Sequence, residues 1–160
     1  MVKAIPEGSH NVTPYMTCND DARAIDFYKK AFGAVEIMRN IAPDGRITHA
    51  ELAIGDSNLM LCDEFPEMGG KSAQTLGGSP VMIHLYTRDV DATVKKAVAA
   101  GAKLNGDVKD QFYGDRGGAL TDPFGHKWWV ATHIVDLSED EIKRRAEKFW
   151  EEQEQVKKSA

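Results

Sequence analysis

The sequence predicts an α+β fold in which one small strand–helix–strands unit is used twice, followed by a C-terminal helix. Three observations predict it. A helix-like stretch that opens Asp21-x-x-Ala24 and closes Ala31-Phe32-Gly33-Ala34 is echoed by one that opens Asp89-x-x-Ala92 and closes Ala99-Ala100-Gly101-Ala102, at a constant shift of roughly 68 residues. Each copy has an apolar strand-like segment before it and several after it. From residue 138 onward the alternating pattern gives way to helical spacing. A chain of this kind places a cleft between sheets, so function becomes a question about a few strand positions.

The elements follow in order. Residues 11–18 read as a first strand; Pro14 cannot donate to a ladder, which favours an edge position or a bulge. Asn19-Asp20-Asp21 supplies an N-cap, and Ala24, Ile25, Phe27, Tyr28, Ala31 and Phe32 repeat with helical period up to Gly33, a left-handed C-cap residue. A second strand spans 34–42, Pro43-Asp44-Gly45-Arg46 is a hairpin turn, a third strand spans 47–54, and a fourth spans 58–63 after Gly55-Asp56-Ser57. Pro66, Gly69-Gly70, Gly77-Gly78 and Pro80 make 64–80 a connector. The second unit restarts with a strand at 81–87 and a helix capped by Asp89 or Asp91 and ended by Gly101. Strands near 103–112 and 116–121 follow, then the turn Asp122-Pro123-Phe124-Gly125 and a last strand at 126–133. Ser138-Glu139-Asp140-Glu141 is a capping box for a helix to about residue 152, with Ile142, Ala146 and Phe149 on one stripe, Trp150 beside it, and a frayed end beyond. The chain is expected to be one domain over 1–160: a first module at about 9–63, a second at about 81–134 and the C-terminal helix at about 138–152.

The composition narrows the function classes. Apolar residues at 42% and charged residues at 28% suit a globular protein with a full core. The net charge of −5 argues against nucleic acid, which needs a clustered basic surface. No apolar run approaches the roughly 18 residues of a membrane span, and the start, Met1 to Gly8, carries no apolar signal segment. Cys18 and Cys62 both lie in strand-like segments outside any CxxC, as reduced thiols in a cytoplasmic protein would. There is no Walker loop, GxGxxG or Ser/His/Asp order.

The segment Asp26-Phe27-Tyr28-Lys29-Lys30-Ala31-Phe32-Gly33, the Asp89-x-Asp91-Ala92 helix start, and Gly114-Asp115-Arg116 followed by Asp122-Pro123-Phe124-Gly125-His126 resemble the vicinal oxygen chelate superfamily, which holds glyoxalase I, bleomycin-resistance proteins and extradiol dioxygenases. Val12-Thr13-Pro14-Tyr15 and His49-Ala50-Glu51-Leu52 look most like its PhnB-like branch. The resemblance covers about residues 9–134 and implies two paired βαβββ modules in a curved mixed sheet with a ligand cleft, usually in a homodimer. Metal-dependent members place a His or Glu on the first and last strand of each module. Those four positions fall here on Thr13, Met60, Met82 and Trp129. A hydroxyl, two thioethers and an indole do not suit a hard or borderline divalent ion, so no cofactor is expected and the Lewis-acid chemistries of the superfamily lose their support.

Alternation along each strand extends this set. Tyr15 shares a face with Thr13, Cys62 with Met60, His84 and Tyr86 with Met82, and Ala131 and His133 with Trp129. The opposite parity (Val12/Met16, Leu59/Leu61, Ile83/Leu85, Trp128/Val130) is apolar and should pack under the helices. The expected ligand-binding residues are Tyr15, Met60, Met82, His84, Tyr86, Tyr113, Arg116 and Trp129, a lining for a flat, partly apolar molecule. Arg116 either orients an anionic or planar ligand at the rim or joins Asp115 in bonding the turn. His126 and His10 read as exposed residues at strand starts.

Three functions remain open. The first is a metal-independent dimeric protein that binds a small molecule. The second is a metalloenzyme with relocated ligands His49, Glu51 and His84, two imidazoles and a carboxylate, the same three residues being the catalytic candidates. The third is a dimeric scaffold whose cleft is filled by its own side chains.

Overall fold

In the computed structural model, which describes residues 2–159, the two units are two separate sheets joined through their helices. The first unit comprises β1 (Tyr15–Cys18), α1 (Asp21–Phe32), β2 (Val35–Ile41), β3 (Ile47–Ile54) and β4 (Ser57–Asp63), with strand order β1-β4-β3-β2. The second comprises β5 (Met82–Tyr86), α2 (Val90–Ala99), β6 (Lys103–Leu104), β7 (Lys109–Asp110), β8 (Asp115–Thr121) and β9 (Lys127–His133), ordered β5-β9-β8-β6 with β7 also on β8. In each sheet the opening strand runs parallel to the closing one, β1 beside β4 and β5 beside β9, while the other pairs are antiparallel. A single 3-10 turn, Pro66–Met68, lies in the connector, and α3 (Glu139–Ser159) ends the described chain.

Local chemistry sets the helix ends. The Asp20 carboxylate accepts from Arg23 N (3.1 Å) and Asp89 accepts from Ala92 N (2.9 Å), satisfying first-turn amides. Gly33 takes φ 68°, and its N–H closes α1 onto Lys29 O. Pro14 shortens β1 to four residues, yet its carbonyl still accepts from Met60 N (2.9 Å), and β1 is an edge strand as expected.

The core lies between the helices and the inner faces of the sheets. α1 buries Ala24, Ile25, Phe27, Tyr28 and Ala31 against Met16, Leu52, Leu59 and Leu61; α2 buries Val90, Val94 and Ala97 near Leu120, Trp128 and Val130. α1 packs on α2, and Phe32 and Tyr28 meet Trp128 at 4.6 and 5.5 Å between ring centroids. Asp122 fastens the junction. Its Oδ2 accepts from the Tyr28 hydroxyl (2.6 Å) and the Trp128 indole (2.9 Å), and its Oδ1 from Phe124 N and His126 N (both 2.9 Å). A buried carboxylate with four donors is fully satisfied.

Four expectations are corrected. The strand expected over 103–112 is two short strands, because the ladder on β8 ends with Asn105 N donating to Ala119 O and Gly106 then turns away at φ 110°. His126 is buried, not exposed: the Gly125 turn aims its ring inward, where Nε2 lies 3.2 Å from Thr17 O and 3.8 Å from Cys18 Sγ. Val12 precedes β1 and is exposed, so it does not join Met16 under a helix. The C-terminal helix extends past 152 to Ser159, with Lys157 and Lys158 at the negative end of its dipole.

Candidate functional site

The register fixes which side chains share the outer faces. Tyr15 pairs with Met60, and Met60 with Glu51; in the second sheet His84 pairs with Trp129, and Trp129 with Ala119. Tyr15 and Met60 each lie 69 positions before their counterparts His84 and Trp129, so the two modules present equivalent rows. The opposite parity is buried at Met16, Leu59, Leu61, Trp128 and Val130, while Ile83 and Leu85 on the edge strand β5 are partly covered.

On the second sheet, Met82, His84, Tyr86, Tyr113, Asp115 and Trp129 line a depression of about 430 Å³. β5 contributes the first three, its rings of His84 and Tyr86 lying 4.5 Å apart between centroids. Trp129 lies over Gly117, where an added Cβ would come within 2.9 Å of the indole Nε1; the glycine lets the ring lie close to the sheet. Tyr113 enters from the loop before β8, and Gly114 holds that loop at φ 99°, against the Val135 carbonyl.

Asp115 sits at the base of the depression and is 3% exposed. Its Oδ2 accepts from the Tyr86 hydroxyl (2.8 Å), and its Oδ1 lies 2.7 Å from His133 Nδ1, whose Nε2 is 3.0 Å from Asp136 Oδ1. The two carboxylates hold the His133 imidazolium above its ordinary range. The Asp115 hydrogen bond and burial raise Tyr86, while burial and then the Asp115 charge raise Tyr113, so both phenols stay protonated.

On the first sheet, the Tyr15 hydroxyl lies 2.9 Å from His49 Nδ1 and His49 Nε2 lies 3.1 Å from Glu51 Oε1. Thr17 Oγ1 and Cys62 Sγ are 3.7 Å apart beside them. Burial and the nearby Cys62 raise Tyr15. Sequence spacing joined His49 to Glu51 but gave no sign that Tyr15 completes the chain.

The remaining candidates fall elsewhere. Arg116 turns from the depression: Nε and Nη2 bond Asp91 (2.8 and 2.9 Å) and Nη1 bonds Asp110 (3.0 Å), so it pins the hairpin to α2 and does not join Asp115, which bonds Tyr86 and His133, in closing the turn. His49 and Glu51 lie on the first sheet and His84 on the second. Among the described residues no group of three or more His, Cys, Asp or Glu is disposed to hold a metal ion. At the superfamily's four ligand positions, the neighbours of Met60 are Tyr15 and Glu51 and those of Trp129 are His84 and Ala119. Sequence reasoning missed Asp115 as the hub of the second face; the available signal was that Asp115 pairs with His133 across β8 and β9.

A second, larger groove of about 1070 Å³ runs along β5 between the end of α1, the β3–β4 turn and α2. It exposes Lys30, Arg88 and Lys96, and its floor includes the helix-facing Ile83, Leu85 and Trp128. No helix among the described residues is long and apolar enough to cross a membrane.

The profile of the Glyoxalase/Bleomycin resistance protein/Dioxygenase superfamily matches residues 10–130. The uncharacterized protein Mb0911c of Mycobacterium bovis is 46% identical over 134 residues, covering 82% of this chain and 88% of its own. The crystal structure of the At5g48480 gene product of Arabidopsis thaliana superimposes with a TM-score of 0.62 at 31% identity, covering 77% of this chain and 98% of the other. A PhnB protein of Bacillus cereus, described as a putative 3-demethylubiquinone-9 3-methyltransferase, superimposes with a TM-score of 0.60 at 14% identity, covering 77% and 99%. The profile match ends before α3 begins. With two βαβββ-type sheets in register and this match over most of its length, the chain belongs to the glyoxalase/bleomycin resistance protein/dioxygenase superfamily, the vicinal oxygen chelate proteins.

Proposed function

We propose that the protein is a cytoplasmic homodimer that binds a small, partly apolar molecule on the face formed by Met82, His84, Tyr86, Tyr113 and Trp129, without the divalent metal of its enzymatic relatives. The observation that carries this reading is the combination of aromatic walls with one buried, hydrogen-bonded carboxylate, Asp115, in a single depression. Apolar walls supply binding energy, and a few fixed polar groups set orientation. The identity of the four ligand-position residues supports the metal-free part, because none of them is a donor that a catalytic divalent ion selects. Exposed Tyr15, Val81, Met82, Ile134 and Val135 support dimerisation, as does the position of β1 and β5 at sheet edges.

A thermal-shift screen with small aromatic and heteroaromatic compounds tests the reading. A true ligand at about 100 times its Kd stabilises the native state by about 2.7 kcal/mol. Replacing Trp129 with Leu should abolish that shift while the unliganded protein stays folded. A panel that gives no shift, or shifts that survive in Trp129→Leu, would count against the site.

A further inference from the structure

The second-sheet depression also has a charge preference. We propose that its ligand carries a positively charged head group, a quaternary or tertiary ammonium or a cationic heteroaromatic, seated among the rings of His84, Tyr86, Tyr113 and Trp129 above the Asp115 carboxylate. This rests on reading the depression as a ligand site.

Four of the six lining residues are aromatic, a fifth is a thioether and the sixth is a carboxylate. Ring faces are negative and attract cations, most strongly indole and phenol, and more so where water is partly excluded. Asp115 is 3% exposed, so its charge acts at the base of the depression and is little screened by solvent.

Its hydrogen bonds do not cancel that charge. Tyr86 donates a neutral hydroxyl, and His133 lies between two carboxylates, Asp115 and Asp136. With His133 as imidazolium the three groups sum to one negative charge; with a neutral ring they sum to two. Arg116, the adjoining residue that could neutralise Asp115, is committed to Asp91 and Asp110, and neither lysine nor arginine lines the depression. An anion placed here would meet a carboxylate whose only cationic neighbour, the His133 ring, is shared with Asp136. A neutral molecule would meet the rings but leave the carboxylate uncompensated. A cation with an apolar periphery satisfies both.

The test uses three probes of one shape and three charges: choline, 3,3-dimethylbutan-1-ol and 3,3-dimethylbutanoate. Each is titrated into the full-length protein while the backbone and tryptophan indole N–H signals are followed by NMR, the backbone signals of β5 and β9 serving as readout for Trp129→Leu. Choline should bind about tenfold or more tighter than the alcohol, with the carboxylate weakest, and Trp129→Leu and Tyr113→Leu should each remove most of the choline affinity. Tyr113→Phe keeps the ring and should retain it. Tyr113 lies on a loop, so its variants stay informative if Asp115→Asn, which should also weaken choline, fails to fold.

Equal binding of choline and the alcohol, or tighter binding of the carboxylate, overturns the cationic assignment and leaves the cleft as a site for neutral molecules. Binding of a neutral aromatic without any binding of choline does the same. If neither choline nor any aromatic compound perturbs Trp129, the depression is not a ligand site and both readings fall.

Discussion

Asp115 and Asp21 are two buried carboxylates with opposite fates. Asp115 is satisfied from both sides, by Tyr86 and His133. Replacing it with Asn removes the anion that raises His133, so in an NMR titration the His133 ring should titrate at lower pH than in the wild type. Because a raised histidine stabilises the fold fully only below its ordinary value of 6.5, that contribution fades as pH rises through the folded value, and the variant should show a flatter stability profile above about pH 6.5. Asp21 is fully buried, and burial, reinforced by the Asp63 charge, pushes it up to about 7 from 3.8. Here the folded chain holds the proton more tightly than the unfolded one, so stability falls as pH climbs from about 4 to 7 and the full penalty applies above that. Asp21→Asn should therefore stabilise the protein at pH 8 by about 1–3 kcal/mol and much less at pH 4.5, as read from urea unfolding. An equal effect at both pH values would contradict the assignment.

At the scale of elements, glycines decide where the site can form. An alanine at Gly117 would place Cβ 2.9 Å from the Trp129 indole nitrogen and 3.0 Å from Val130 O. Gly117→Ala should cost about 1–3 kcal/mol and shift the tryptophan emission, because the ring must lift from the sheet. The helices and most strands were legible in sequence because their signals are local: Asp20 and Gly33 for α1, Asp89 for α2, apolar segments bounded by turns for β3 and β4. The shared parity of Tyr15, Met60, His84 and Trp129 was likewise legible, since period two and a constant shift locate them, while the place of Glu51 beside Met60 was not. What escaped depends on contacts distant in sequence. The inward aim of His126 requires Thr17 and Cys18 from the other module, and the bonds holding Arg116 away from the site require Asp91 on α2. The length of α3 was missed because its last turns owe their helicity to charge placement rather than to an apolar stripe. α3 meets the body through Phe149 against Phe112, at 5.3 Å between ring centroids. A chain ending at residue 137 should keep its two sheets and lose helical circular dichroism in proportion, with only a modest fall in Tm.

The molecule as a whole presents two equivalent faces, one polar and hydrogen-bonded at Tyr15–His49–Glu51 and one aromatic at His84–Tyr86–Trp129. Dimerisation, if built on the exposed edges of β1 and β5, should give a solution mass of twice 17.7 kDa by light scattering. Elemental analysis of protein purified without chelator should find less than one divalent ion per chain, and EDTA should leave the Tm unchanged. A stoichiometric ion bound at cleft residues would instead overturn the metal-free reading.

The bond between Tyr28 and Asp122 ties the two halves of the chain together. A phenol from the earlier half supplies one of the four donors to an acid in the later one, and the same ring packs on Trp128, so parting the halves would bare apolar rings to water. The consequence is mutual dependence: mixed as two severed polypeptides, the halves should remain disordered apart and regain structure only together.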